Sequence, residues 1–192
     1  MPSTWKTGRR PARGEGAAPA RGLLSEEPPI DEHDLQAYLS AHGVAAELIH
    51  LSEHTPTVET AARVMGTTAE RIVKSLLFLL APAGGEPAPL LVVASGTDRV
   101  DYRQVADCVG LSRKRVRLAD AATVQAVTGY PVGGVPPLGH PARLRTLIDR
   151  RVLEQPEVYA GGGAINALLR ITPAEIVRAT GAEAVDVVAE GR

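Results

Sequence analysis

The chain has 192 residues, 44% of them apolar, and this length and composition predict one folded domain with a hydrophobic core, with or without a tail. Its 21 lysines and arginines are balanced by 22 aspartates and glutamates, so the net charge of −1 argues against a protein that coats DNA. The longest apolar run, residues 76–81, is far too short to cross a bilayer, so we predict no membrane contact.

Residues 1–29 are rich in proline, glycine and charge, and they contain few large apolar side chains. Such a segment cannot bury enough surface to offset the entropy of ordering it, so we predict a disordered tail. The tail is either a passive extension or a weak RNA-contacting arm. The folded domain is then predicted to span residues 30–192.

The rest of the chain alternates helix and strand patterns with regular capping and turn signals. The predicted helices, each with a capping residue before it or a glycine near its end, are residues 31–43, 57–66, 101–109, 120–128 and 172–181. The predicted strands are residues 45–51, 71–80, 90–95, 113–118, 144–149, 157–162, 165–171 and 183–188. Helices and strands mix without a strict βαβ period and a hairpin turns at residues 81–89, so the predicted class is α+β with a mixed sheet. For the last helix, Thr172 and Glu175 predict a capping box.

The single cysteine, Cys108, excludes an internal disulfide and a multi-cysteine zinc site, as is typical of a protein of the reducing cytoplasm. Its position in a predicted helix indicates a small buried side chain. The sequence also contains no H-E-x-x-H motif and no Walker motif, and "YAGGGAIN" does not complete G-x-G-x-x-G. We therefore predict neither a metal site nor a dinucleotide site.

Lys74 is the most informative ionisable residue, because it lies inside the apolar strand pattern "RIVKSLLFLL". Alternation along a strand puts it on one face with Leu76 and Phe78, while Ser75 lies on the opposite face. An unpaired buried ammonium is costly. Lys74 therefore either extends its head into water or reaches into a cleft that holds an anion.

The stretch "VGGVPPLGH", residues 132–140, has almost no side chains suited to chemistry. Glycines leave its backbone N–H groups accessible, and its prolines restrict the backbone. Such a loop either binds a carbonyl or a developing oxyanion or simply connects a helix to a strand. The stretch "SRKRVR" offers a similar choice, because its cations, Arg113, Lys114, Arg115 and Arg117, either protect an edge strand or contact phosphates.

Three features occur together in chain order: "IVKSLLF" around Lys74, "GGVPPLG" at residues 133–139, and "YAGGG" ending at Gly163. This ordered set resembles the YbaK/prolyl-tRNA synthetase-associated domain family of aminoacyl-tRNA editing domains, over about residues 45–190. The resemblance implies a mixed, partly barrel-like sheet flanked by helices, without a metal or an organic cofactor. It also implies a free-standing cytoplasmic deacylase that hydrolyses misacylated tRNA bearing a small amino acid, with tRNA-Pro as one candidate and a synthetase as a further candidate partner.

The same resemblance implies roles for individual residues. Lys74, Gly133 and Pro137 correspond to the catalytic positions of the family. Residues implied to bind the substrate are Gly134, Val135, Gly139, His140, Asp149, Gly161, Gly162 and Gly163. The basic cluster named above is then expected to bind tRNA. The aminoacyl ester is already activated and its neighbouring 2′-hydroxyl can position water, so the loop need only hold the carbonyl.

Editing is needed because a synthetase pocket gains only about 1–3 kcal/mol from one methylene group, which is too little to reject every smaller amino acid. Two other functions remain open at this point. The pocket could sense an amino acid or nucleotide without catalysis, or it could hydrolyse small esters that lack tRNA.

Overall fold

A computed structural model describes residues 31–52 and 57–189 of the chain. The predicted tail, residues 1–29, lies outside the described residues. Within the described part, no helix is long and apolar enough to span a membrane.

In the described ranges, six α-helices surround the sheets. They are α1 (Glu32–Ala41), α2 (Val58–Met65), α3 (Tyr102–Cys108), α4 (Ala121–Thr128), α5 (Arg150–Leu153) and α6 (Pro173–Thr180). The five predicted helices are confirmed, while the single-turn α5 was not predicted because four residues carry no helical period. Asp31, Thr57 and Asp120 accept hydrogen bonds from the first turns of their helices, as the capping signals predict.

The predicted capping box of α6 is wrong for one of its two hydrogen bonds. Thr172 Oγ1 accepts a hydrogen bond from the backbone N–H of Glu175, but the Glu175 carboxylate does not return to Thr172. It accepts instead from the backbone N–H of Ala45 at 2.8 Å and from the guanidinium of Arg178. A tertiary contact thus replaces the local one and links α6 to the segment before the first strand.

Eight strands form two sheets within residues 31–52 and 57–189. They are β1 (Ala46–His50), β2 (Val73–Leu80), β3 (Ala88–Ser95), β4 (Val116–Leu118), β5 (Arg145–Asp149), β6 (Val158–Gly161), β7 (Ala167–Ile171) and β8 (Glu183–Val185). All eight predicted strands are present. The prediction for residues 113–118 is wrong over its first half, because Arg113–Arg115 form a 3-10 turn that follows Ser112, and only the last three residues pair with β2.

The larger sheet has the order β4-β2-β3-β5-β8, and the smaller one has the order β1-β7-β6. The β2–β3 hairpin is antiparallel, whereas β5 pairs in parallel with both β3 and β8. A bridge between Ile72 and Tyr159 brings the start of β2 to β6, so the two sheets meet along one side without closing into a barrel. This arrangement confirms the predicted α+β class with a mixed, partly barrel-like sheet.

The two faces of β2 pack into different parts of the core, as its alternation predicts. Val73 and Leu77 belong to the cluster that includes Tyr130 and Val135 of the glycine-proline loop region. Phe78 belongs to the cluster on the opposite face of the sheet. Lys74 and Ser75 are therefore presented to opposite sides of the same strand.

The prediction that Cys108 is buried is wrong. It lies on a helix as expected, but it is exposed. The short α3 buries Val105 and Ala106, and Cys108 is its last residue, beyond the part that packs on the core.

Candidate active site

A cavity of about 360 Å³ lies between the start of β2, helix α2, the glycine-proline loop and the end of β6. This volume is within the range of small-ligand pockets. Most of its lining is apolar, and several of its residues were predicted from the sequence. The predicted residues that line it are Lys74, Gly133, Val135 and Gly161.

The loop forms a tight turn in which the backbone N–H of Gly134 donates to the carbonyl of Pro131 at 2.9 Å. Gly133 has φ of +92°, a left-handed conformation that favours glycine. The backbone N–H groups of Gly133 and Val135 find no acceptor among the described residues. Two peptide N–H donors are thus present at the wall of the cavity.

The second glycine cluster holds this loop in place by direct backbone contact. A Cβ atom added at Gly161 would lie 2.5 Å from the carbonyl oxygen of Val135 and 2.6 Å from the carbonyl carbon of Gly134. The backbone N–H of Gly163 donates to the carbonyl of Gly134 at 2.8 Å. A Cβ at Gly162 would meet the backbone of Ala167 at 2.7 Å, so this glycine serves the packing of β7.

Lys74 is held in place rather than extended freely into water. Its ammonium donates to the carbonyl oxygens of Gly96 at 3.1 Å and Asp98 at 2.5 Å. Partial burial lowers the pKa of Lys74 below its usual value, and the negative charge of Asp98 opposes that shift. The residue borders both the apolar cavity and a second, larger cleft.

Sequence reasoning missed the hydroxyl of Ser75. Ser75 lines the cavity, and its Oγ is buried without a hydrogen-bond partner among the described residues. A buried polar atom without a partner is costly, so a ligand group or water in the cavity is the natural partner. The available signal was its alternation opposite Lys74, which places a hydroxyl among apolar neighbours.

The second cleft, of about 740 Å³, lies on the other side of Lys74. It is lined by Lys74, Leu76, Arg99, Val100, Asp101, Tyr102, Arg103, Arg113 and Ala189. Sequence reasoning did not single out Arg99 or Arg103, because Arg99 is an isolated cation before the predicted helix 101–109 and Arg103 is an isolated cation within it. Only the fold brings them beside Arg113.

The cavity lining does not include the remaining loop residues of the prediction, which are Gly134, Pro137, Gly139 and His140. The hydroxyl of Tyr130 donates to the carbonyl of Gly139 at 2.8 Å, and its ring lies edge-on to His140 at 6.0 Å between centroids. Burial lowers the pKa of His140 to about 4, so the imidazole is neutral near pH 7. Tyr130 thus contacts the end of the loop at Gly139 and His140.

Asp149 is also separate from the cavity. It is 2% exposed, and it accepts hydrogen bonds from the backbone N–H groups of Arg151 at 3.0 Å and Val187 at 2.9 Å. Its carboxylate thus caps α5 and ties down the segment after β8. This placement argues against the expected contact with substrate.

The predicted basic cluster is divided by the fold. Arg113 lines the large cleft, whereas Arg115 donates to the carbonyl of Ala81 at 3.3 Å. Lys114 and Arg117 are exposed at the edge strand β4 or in the turn before it. In the described ranges, no three histidine, cysteine, aspartate or glutamate side chains are grouped so that they could hold a metal ion.

Comparison with known proteins is consistent with this geometry. Residues 52–179 match the family described as the aminoacyl-tRNA editing domain. The crystal structure of a candidate trans-editing enzyme for prolyl-tRNA synthetase superposes with a TM-score of 0.74 at 34% identity, covering 87% of this chain and 100% of that one.

Two curated relatives are similar at the level of sequence. EbsC of Enterococcus faecalis, named as a candidate Cys-tRNA(Pro)/Cys-tRNA(Cys) deacylase, is 24% identical over 129 residues, 67% of this chain and 75% of that protein. A proline–tRNA ligase of Limosilactobacillus fermentum is 29% identical over 96 residues, 50% of this chain but 16% of the ligase. The family match spans most of the chain and the fold agrees with it, so this protein belongs to the aminoacyl-tRNA editing domain family.

Proposed function

We propose that this protein is a free-standing deacylase that hydrolyses the ester bond of misacylated tRNA carrying a small amino acid, with tRNA-Pro as the first candidate. The proposal rests on the backbone N–H groups at the wall of the apolar cavity. There, the N–H groups of Gly133 and Val135, which have no acceptor in the described part of the chain, lie in a loop whose backbone packs directly on that of Gly161.

In this mechanism the loop binds the carbonyl of the aminoacyl ester. Attack by water places negative charge on the carbonyl oxygen, and fixed peptide N–H donors stabilise that charge without reorganisation. The neighbouring ribose 2′-hydroxyl of the substrate positions the water. The C–O bond to the 3′-oxygen then breaks, the released 3′-oxygen takes up the proton that the attacking water loses, and the free amino acid leaves.

The protein's own polar groups assist at two points. Ser75 Oγ, buried without a partner, is available to the amino group of the substrate or to the attacking water. Lys74 stands at the junction of the cavity and the cleft, where its charge can meet the terminal nucleotide. Pro137, Gly139 and His140 act indirectly, by supporting the loop.

The shape of the cavity favours a small side chain. Gly161 brings strand and loop backbones into contact, and Val58 and Val124 close the cavity from two helices. Its opening carries Val132 and Ile165, which are 60% and 54% exposed. An exposed apolar rim beside a pocket is typical of a surface that a ligand covers, and we assign it to the terminal nucleoside of the tRNA.

The relatives support the choice of tRNA. One is named as a candidate deacylase of Cys-tRNA(Pro), and one solved structure is described as a candidate trans-editing enzyme for prolyl-tRNA synthetase. We extend both descriptions to this chain as proposals, with action in the cytoplasm and a prolyl-tRNA synthetase as partner. We also propose that residues 30–192 form the deacylase domain.

The test is multiple-turnover deacylation of a panel of tRNAs, each charged with a correct or an incorrect amino acid. We expect catalytic amounts of protein to release small amino acids from mischarged tRNA-Pro and to spare Pro-tRNA-Pro. Stoichiometric binding without turnover would show a binding module instead. Equal hydrolysis of small esters without tRNA would show a general esterase.

A further inference from the structure

The large cleft beside the cavity has a charge pattern that the deacylase proposal alone does not explain. Lys74, Arg99, Arg103 and Arg113 line it, and Asp101 is the acidic residue among its lining. We propose that this cleft binds the phosphates of the last nucleotides of the tRNA. This assignment rests on the proposed deacylase function and gives the substrate a defined path across the protein.

The arginines of the cleft are available to a ligand. None of the three forms an ion pair with a carboxylate in the described part of the chain, although five other arginines there do. The carboxylate of Asp101 accepts from the backbone N–H of Arg103 at 2.7 Å, which occupies one of its oxygens locally. The cleft therefore holds an excess of positive charge in a protein whose net charge is −1.

One arginine is already fixed in position. The guanidinium of Arg113 lies 4.5 Å from the ring centroid of Tyr102 and donates to the carbonyl of Val116 at 3.0 Å. Tyr102 is itself packed edge-on against Phe78 of the core. A cation held this way loses less conformational entropy when it binds a phosphate.

Lys74 lies between the cleft and the apolar cavity proposed to hold the ester. It borders both openings, so a substrate with its aminoacyl group in the apolar cavity and its phosphates in the cleft would pass the Lys74 ammonium. The exposed cations of β4 and of the turn before it, Arg117 and Lys114, do not line either opening. The structure thus assigns the phosphates to the cleft rather than to the edge strand.

The experiment compares two charge-removing double variants on two substrates. Arg99→Gln/Arg103→Gln removes cations from the cleft, and Lys114→Gln/Arg117→Gln removes the same charge from the edge strand. The substrates are the mischarged tRNA and the corresponding 3′-aminoacyl-adenosine, which has no phosphate.

For the cleft variant we expect KM for the tRNA to rise about 10-fold with kcat little changed. The slope of log KM against log salt should fall by about 1.4, since each single-strand phosphate contact contributes about 0.7. Hydrolysis of the adenosine ester should stay as in the wild type, and so should both activities of the edge-strand variant. Arg99→Lys/Arg103→Lys should retain the salt slope.

An unchanged KM and salt slope in the cleft variant would overturn the assignment, as would an equal effect of the edge-strand variant. A loss of activity on the adenosine ester would also overturn it, because that substrate offers no phosphate. A wild-type protein inactive on both substrates would refute the deacylase function itself, and the cleft assignment with it.

Discussion

Replacing Gly161 by alanine tests whether backbone contact between the two glycine clusters sets the shape of the site. The added Cβ would lie 2.5 Å from the carbonyl oxygen of Val135, and ordinary contact begins at 3.4 Å. The neighbouring atoms are backbone, so the loop itself must move by nearly 1 Å. The φ of Gly161 is not in the left-handed region, so the collision, rather than backbone strain, causes the effect.

A shift of about 1 Å in a positioned group can cost about 10²-fold in rate. We therefore expect kcat/KM for a mischarged tRNA to fall by about 10²-fold in Gly161→Ala. Overpacking of this kind costs about 1–3 kcal/mol of stability. At about 2–4 °C per kcal/mol, the melting temperature should fall by several degrees without loss of the fold.

The assay is single-turnover deacylation with enzyme in excess, accompanied by circular dichroism and a thermal melt. Gly85→Ala is the matched control, since Gly85 also lies outside the left-handed region and its Cβ would meet a proline side chain at 3.0 Å in an exposed turn. Wild-type kinetics for Gly161→Ala with an unchanged melt would refute the reasoning, because the loop would then not depend on that contact.

Three further changes separate catalytic, structural and electrostatic roles. Lys74→Ala should keep its circular dichroism spectrum but lower the single-turnover rate at least ~10²-fold, whereas a near-normal rate would favour a binding module. Asp149→Ala should leave the kcat/KM of folded protein unchanged but lower stability in urea by about 1–3 kcal/mol, because the buried N–H of Val187 loses its acceptor. Glu175→Gln should flatten the acid limb of stability against pH. Its carboxylate pKa is lowered from 4.5 to about 2 by Arg178 and a backbone donor, so this contribution is present above pH 4.5 and is lost as the pH falls towards 2.

Much of the fold could be predicted because its signals are local. Helices α2 and α6 each begin at a threonine cap and end at a left-handed glycine, and β2 and β3 are joined by a turn rich in glycine and proline. The sequence predicts strand at Arg113–Arg115 where the structure has a 3-10 turn, because the turn runs directly into β4 and no glycine or proline separates the two. Helix α5 is too short to show a period, and Asp149 caps it.

The site could be predicted only where residue type alone carries the information. Lys74 is identifiable as a lysine within an apolar strand, and the loop is identifiable by its glycines. Arg99 and Arg103 are not, because their meeting with Arg113 depends on how α3 packs against the turn that precedes β4. The role of Asp149 was likewise decided by tertiary contacts, with Val187 far along the chain.

The pairing of β1 has a consequence for how the protein is made. Among the described residues this strand pairs only with β7, so the ladder from Ala46 to its partner Ile171 forms only after Ile171 has been synthesised. During synthesis on the ribosome, β1 therefore emerges long before its partner and remains an open edge that other chains could pair with. Because β7 also supplies Ala167 and Leu168 to the cavity, a nascent chain cannot hydrolyse or retain substrate until nearly the whole domain has left the exit tunnel.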